Sequence, residues 1–187
     1  MFIPKPALKT LLPSGGQKSW RGHMWVGVAL GLLAVAGLPT GVAWSLATVQ
    51  DCFTGDTCKV NDNTVFYTFK ILGIDAPELD QPYGKEARRY TRNLLKSHRI
   101  QLKCTTGFLK TKVCKIDMDG QDVASLIVQE GFAWDKPEES FGKYRRYQHE
   151  AMEANRGLWS DDTKAILSPF CWREPSSEQC NDPQYMP

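Results

Sequence analysis

The sequence predicts an α+β fold: a small closed β-barrel of five short strands with helices packed against it, set behind an apolar leader. Three observations carry that expectation. Short runs rich in β-branched and aromatic residues recur between turn signals. A helix-period segment follows the third run and two more come late in the chain, which is not the strand–helix alternation of a parallel α/β sheet. At 187 residues the chain has room for one globular domain with a sizeable core.

Residues 1–47 form the leader. Lys5, Lys9, Lys18 and Arg21 precede an uncharged stretch from Met24 to Ala47, and no acidic residue occurs before Asp51. A basic flank followed by an apolar segment reads as an export signal whose positive side stays in the cytoplasm. The run Trp25–Leu38 ends at Pro39, and Ser45-Leu46-Ala47 offers the small residues a signal peptidase reads, so cleavage is expected. Residues 24–46 are also long enough to anchor the chain in a bilayer. Either way the domain is expected outside the cytoplasm, as a periplasmic or secreted protein or one held at the membrane.

The exported domain spans 48–160. From Thr48 to Val60 two strand-like segments flank a turn at Phe53–Asp56, and Asn61–Asn63 makes another turn. Thr64–Ile74 reads as the third strand, broken by Ala76-Pro77. Gly84–Lys96 reads as a helix with Ala87, Tyr90, Leu94 and Leu95 near one face; Arg88, Arg89, Arg92 and Lys96 make its wet side. Ile100–Cys104 is the fourth strand, with Ile100, Leu102 and Cys104 facing inward. Thr105–Thr111 is a loop and Lys112–Met118 the fifth strand. A short helix begins at Asp122 and stops at Gly131; another runs from about Lys143 to Arg156. Residues 161–187 read as an irregular tail. This order suits a five-stranded barrel of the oligonucleotide/oligosaccharide-binding (OB) type.

All six cysteines, Cys52, Cys58, Cys104, Cys114, Cys171 and Cys180, follow the leader. An even number in an exported chain implies disulfides. No CxxC pair occurs, which argues against zinc. Of the fifteen pairings that six cysteines allow, the local set Cys52–Cys58, Cys104–Cys114 and Cys171–Cys180 is preferred: the first two clamp strand–turn–strand units and the third closes the tail. Without the four basic residues of the leader, 19 lysines and arginines face 21 acids, a net charge of −2. Contact with nucleic acid would then be local rather than steered by overall charge.

Two acidic turns stand out. Thr54-Gly55-Asp56-Thr57 and Asp75-Ala76-Pro77-Glu78 are separated by one apolar-rich run, an arrangement that can gather Asp56, Asp75 and Glu78 into one pocket. Oxygen-rich pockets suit a hard cation such as calcium and leave a carboxylate for proton transfer. The plain alternative is that Asp56 and Asp75 are turn residues and Glu78 a solvated helix-leading acid.

These segments closely resemble the staphylococcal nuclease family, and the resemblance runs from about Val49 to Trp159. It rests on Gly55-Asp56-Thr57, Ile71–Glu78, Gln81–Ala87, Gly131–Ala133 and Gly157–Trp159 in order, with Pro169–Arg173 similar to a short motif often found after the domain. The resemblance implies that Asp56, Asp75 and the backbone carbonyl of Ala76 hold Ca2+, and that Glu78 orients or deprotonates the attacking water. Two family arginines would neutralise the phosphate. The first is Lys70 here, which keeps the charge and loses the planar fork. The second belongs to an Asp-x-Tyr-Gly-Arg loop, shortened here to Gly107–Lys112, and no arginine lies between Arg99 and Arg145. Thr111 falls at its place with Lys110 and Lys112 adjacent, and Lys112 is taken as the candidate. Thr54 replaces the first acid of the family's Asp-Gly-Asp turn. Trp134 and Tyr144 read as packing residues, with base stacking the alternative.

The implied function is an exported calcium-dependent nuclease cutting phosphodiester bonds of DNA or RNA, weakened by the absence of both arginines. The alternative is an inactive barrel that binds nucleic acid or an envelope partner. No protein partner is predicted.

Overall fold

The computed structural model describes residues 43–106, 111–160 and 167–182. The chain divides into two units, 1–39 and 40–187; the first lies wholly outside the described residues, and so does the expected membrane segment as far as residue 42. Among the described residues no helix is long and apolar enough to cross a membrane.

The strands are β1 (Ser45–Cys52), β2 (Thr57–Asn61), β3 (Phe66–Ile71), β4 (Ile74–Asp75), β5 (Arg99–Thr106), β6 (Lys112–Met118), β7 (Gln121–Asp122) and β8 (Trp134–Asp135). The helices are α1 (Gly84–Leu95), α2 (Val123–Gln129), α3 (Pro137–Ser140), α4 (Arg145–Glu153) and α5 (Pro169–Arg173), with single 3₁₀ turns at Gly157–Ser160 and Glu178–Asn181. Strands β3-β2-β1-β5-β6 pair antiparallel in that order, and a parallel β3–β6 pairing closes the ring. The result is the five-stranded mixed barrel the sequence predicts. Closure leaves no free edge among the barrel strands.

Alternation fills the interior. Val49, Val60, Phe69, Ile71, Ile100, Leu102 and Ile116 are buried inside, and α2 caps them with Val123 and Ile127. The predicted disulfides all form, and Cys52↔Cys58 and Cys104↔Cys114 sit directly opposite each other on paired strands. For loops this short each bridge removes unfolded-state entropy equivalent to about 2–3 kcal/mol.

Four boundaries differ from expectation. The barrel begins at Ser45 rather than Thr48: Ser45, Leu46 and Ala47 pair with Leu102, Gln101 and Ile100. A cut after Ala47 would leave Thr48↔Arg99 as the remaining register pair between β1 and β5. The third strand is not continuous to Ile74. Gly73 (φ +82°) turns the chain out of the barrel, where its N–H donates to Glu139 Oε2 and its carbonyl accepts from the Lys136 N–H. β4 then pairs with β8 instead. The last predicted helix is shorter, Arg145–Glu153. The tail is not irregular: Ser168 caps α5 by accepting from the Cys171 N–H, with Pro169 at the first helical position.

Candidate active site

The turn that carries Asp56 is held from three sides. The Cys52–Cys58 bridge closes its base, the Ile71 N–H donates to the Asp56 carbonyl at 2.8 Å, and Thr91 Oγ1 donates to the Gly55 carbonyl at 2.7 Å. Gly55 packs so tightly against Ala76 and Ala87 that an added Cβ would lie 2.7 Å and 2.9 Å from their methyls. Three small residues thus let the Asp56 turn, the Asp75 turn and α1 meet. The arginines of α1 are not merely wet: Arg88 donates to the Cys52 carbonyl and Arg92 pairs with Asp51, fastening the helix to β1.

Asp56 is 4% exposed. Its Oδ1 accepts from Thr54 Oγ1 at 2.8 Å and Thr57 Oγ1 at 2.9 Å, and its Oδ2 from the Ala76 N–H at 3.2 Å. Thr54, where the family has an acid, therefore serves as a donor that orients Asp56. Lys70 sits opposite Thr57 on β3 and reaches between the two aspartates, 3.2 Å from Asp56 Oδ2 and 3.1 Å from Asp75 Oδ1. Burial works against the ammonium, yet the two carboxylates outweigh it and hold its pKa well above the usual lysine value.

Glu78 lies in the loop before α1. Its N–H donates to Gln81 Oε1 at 3.1 Å, and the Gln81 N–H returns to the Glu78 carbonyl at 3.0 Å. Gln81 Nε2 donates across to the Leu167 carbonyl at 2.7 Å, so one buried amide ties the Glu78 loop to the tail.

The tail contributes what sequence reasoning missed. Arg173 Nη1 and Nη2 donate to Asp75 Oδ1 and Oδ2 at 3.3 and 2.7 Å, and Nη1 also donates to Glu78 Oε1 at 2.7 Å. Burial opposes this cation too, and the Asp75 and Glu78 carboxylates more than offset it. The signal was present in Ser168-Pro169, a helix-start pattern, with a cysteine pair closing the tail. Nothing local says where that helix docks.

The structure therefore brings together Asp56, Asp75, Ala76, Glu78 and Lys70. It does not bring Lys112 to them: its ammonium lies over the Tyr67 ring, 3.4 Å from the centroid, a cation–π contact. Lys110 lies outside the described residues. Trp134 and Tyr144 are buried, Trp134 edge-on to Trp159, so packing is what both rings do. Gly131 and Gly157 meet backbone to backbone with no room for a Cβ on either, which accounts for both glycine landmarks.

The site is a charged cluster on a closed five-stranded barrel, three carboxylates interleaved with the cations Lys70 and Arg173. The chain belongs to the family of staphylococcal nuclease homologues, whose model matches residues 68–161. It is 33% identical over 118 residues to a probable staphylococcal-like nuclease, CAN2, of Oryza sativa subsp. japonica, covering 57% of this chain and 29% of that protein. It is 29% identical over 133 residues to an uncharacterized endonuclease of Escherichia coli, 64% of this chain and 78% of that one. With a micrococcal nuclease of Shigella flexneri it shares 27% identity over 171 residues, 82% of this chain and 94% of that one. The match spans under a third of the rice protein's length.

Nucleases of this family are metal-dependent. Among the described residues no group of three or more acidic, histidine or cysteine side chains is arranged to hold a metal. Two carboxylates do converge: a single ammonium touches both Asp56 and Asp75, so their oxygens face one point. Nearly buried anionic oxygens are the ligands a hard divalent cation prefers. The carboxylates fit such an ion at the point where the Lys70 ammonium now sits, with Asp75 also paired to Arg173 through both of its oxygens.

Proposed function

We propose that this chain is a calcium-dependent nuclease that hydrolyses phosphodiester bonds of DNA or RNA outside the cytoplasm, exported by residues 1–47 or anchored through 24–46. The observation that carries the reading is the convergence of Asp56, Asp75 and Glu78 beside Lys70 at one end of the barrel. Asp56 and Asp75, with the Ala76 carbonyl, are the ligands for the ion. When bound, calcium would supply positive charge to the phosphate oxygens as they gain charge in the transition state.

The chain's own groups do the rest. Glu78, half-buried in a loop braced by Gln81, accepts the proton of the attacking water. Lys70, released from the aspartates by the ion, is a mobile cation for the phosphate. A second reading, a non-catalytic barrel that binds nucleic acid or an envelope partner, draws on the ion pairs that occupy Asp75 and Glu78 in the resting site. Incubating the full chain with single-stranded DNA and RNA, with calcium or chelator, separates the two. Calcium-dependent cleavage lost in Glu78→Gln is the expected result. A folded protein that cuts neither polymer would leave the binding barrel.

A further inference from the structure

We propose that Arg173, from the disulfide-closed tail beyond the barrel, is the catalytic arginine of this site and clamps the phosphodiester through its free side-on edge. This rests on the nuclease reading above.

A guanidinium has five N–H donors in a planar fork. Arg173 turns its Nη1/Nη2 end to Asp75 and the second Nη1 hydrogen to Glu78. Among the described residues, Nε–H and the outer Nη2–H have no partner. Those two lie on one edge, spaced to meet two oxygens of a phosphate. The side chain is 36% exposed. Beside it lies a cavity of about 220 Å³ bordered by the acids Asp75, Asp135 and Glu138, by Lys136, and by the Trp134 and Phe170 rings.

The placement is built rather than incidental. Ser168 caps α5, Cys171–Cys180 closes the tail behind it, and Gln81 joins the tail at Leu167 to the Glu78 loop. The guanidinium is thus fixed against both the metal-side acid and the proton acceptor. It stands where Lys70, a point charge, cannot supply a fork, and where Lys112 does not reach.

In the step itself, water adds to phosphorus and gives one proton to Glu78. The P–O bond to the leaving sugar oxygen breaks with its electron pair, and that oxygen takes a proton from solvent. Glu78 then releases its proton to solvent. Arg173 holds the non-bridging oxygens while their charge grows, an interaction stronger in the transition state than before it.

The test compares the full chain with Arg173→Ala, Arg173→Lys and Glu78→Gln on one fluorescent single-stranded oligonucleotide, with folding checked by circular dichroism. Arg173→Ala should lower kcat by about 10²–10³ with little change in KM. Millimolar guanidinium should restore part of that rate in Arg173→Ala and none in Glu78→Gln, a rescue that a purely structural role would not show. Arg173→Lys should stay well below the wild type, and it decides the matter if Arg173→Ala does not fold. Overturning results are kcat at or above wild type in Arg173→Ala, full activity in Arg173→Lys, or a loss that guanidinium leaves untouched. Inactivity of the wild type would instead sink the nuclease reading; a wild type that needs Glu78 but not Arg173 sinks this inference alone.

Discussion

Removing the ammonium of Lys70 should expose how the acidic pocket is held together. In Lys70→Met, Asp56 and Asp75 lose a cation 3.2 and 3.1 Å away. Each contact is worth about 5 kcal/mol at an effective dielectric of 20, before the cost of desolvating the ions is set against it. Asp75 keeps Arg173, but Asp56 is left with two hydroxyls and one N–H. Breaking a buried pair usually costs about 3–5 kcal/mol, and the 29% exposure of Lys70 lowers the expected cost to about 2–4 kcal/mol. The assay is urea unfolding in chelator at neutral pH, with equal m-values required of both proteins. Calcium should then reverse the deficit, because the ion no longer competes with an ammonium. At 100 times its dissociation constant a ligand adds about 2.7 kcal/mol, so the variant should gain more from calcium than the wild type does. A variant as stable as wild type in chelator, or one that binds calcium more weakly, would refute the reasoning.

Three further outcomes are expected. Gly84→Ala would drive a Cβ into the Glu78 carbonyl, backbone that cannot step aside, so both stability and any Glu78-dependent rate should fall sharply; wild-type melting and rate would contradict that packing. Burial, with the Asp122 and Asp135 carboxylates, pushes the Tyr144 phenol above its ordinary 10.0, so the folded chain keeps a proton the unfolded chain has lost. Its contribution is whole below pH 10 and drains away as pH rises beyond it. Tyr144→Phe should cost about 1 kcal/mol at pH 8 and flatten the alkaline decline seen in unfolding at pH 8 against pH 11; an unchanged slope would count against it. Lastly, because Ser45–Ala47 belong to β1, mass spectrometry of the protein purified from cells should find its N-terminus at or before Ser45; a stable form starting at Thr48 would show those pairings to be dispensable.

What could be read from the chain was whatever depends on neighbours in sequence. Alternation at Ile100–Leu102 and the β-branched run Thr64–Ile74 foretold buried strand faces, since strand side chains alternate regardless of partners, although the run ends as a barrel strand at Ile71. Each disulfide joins cysteines no more than 10 residues apart, so pairing followed from the turns between them. Asp56, Asp75 and Glu78 announced themselves as acids beside the turn signals Gly55 and Ala76-Pro77. Lys70 was identified, but its resting place between the aspartates was not, because a flexible side chain is settled by the charges around it.

Arg173 marks the limit. It is 98 residues from Asp75 and 95 from Glu78, and no periodicity or spacing encodes a contact of that range. Its position follows from docking: α5 is capped by Ser168, bridged by Cys171–Cys180 and tied through Gln81 to the loop it serves. Lys112 failed for the converse reason, since adjacency in sequence to the family's arginine position did not prevent β6 from turning it onto Tyr67. Local pattern set the strands, bridges and acidic turns, because those answer to short-range sterics and burial. Which cation faces which acid was settled when distant segments packed, because electrostatic partnership depends on distance in space alone.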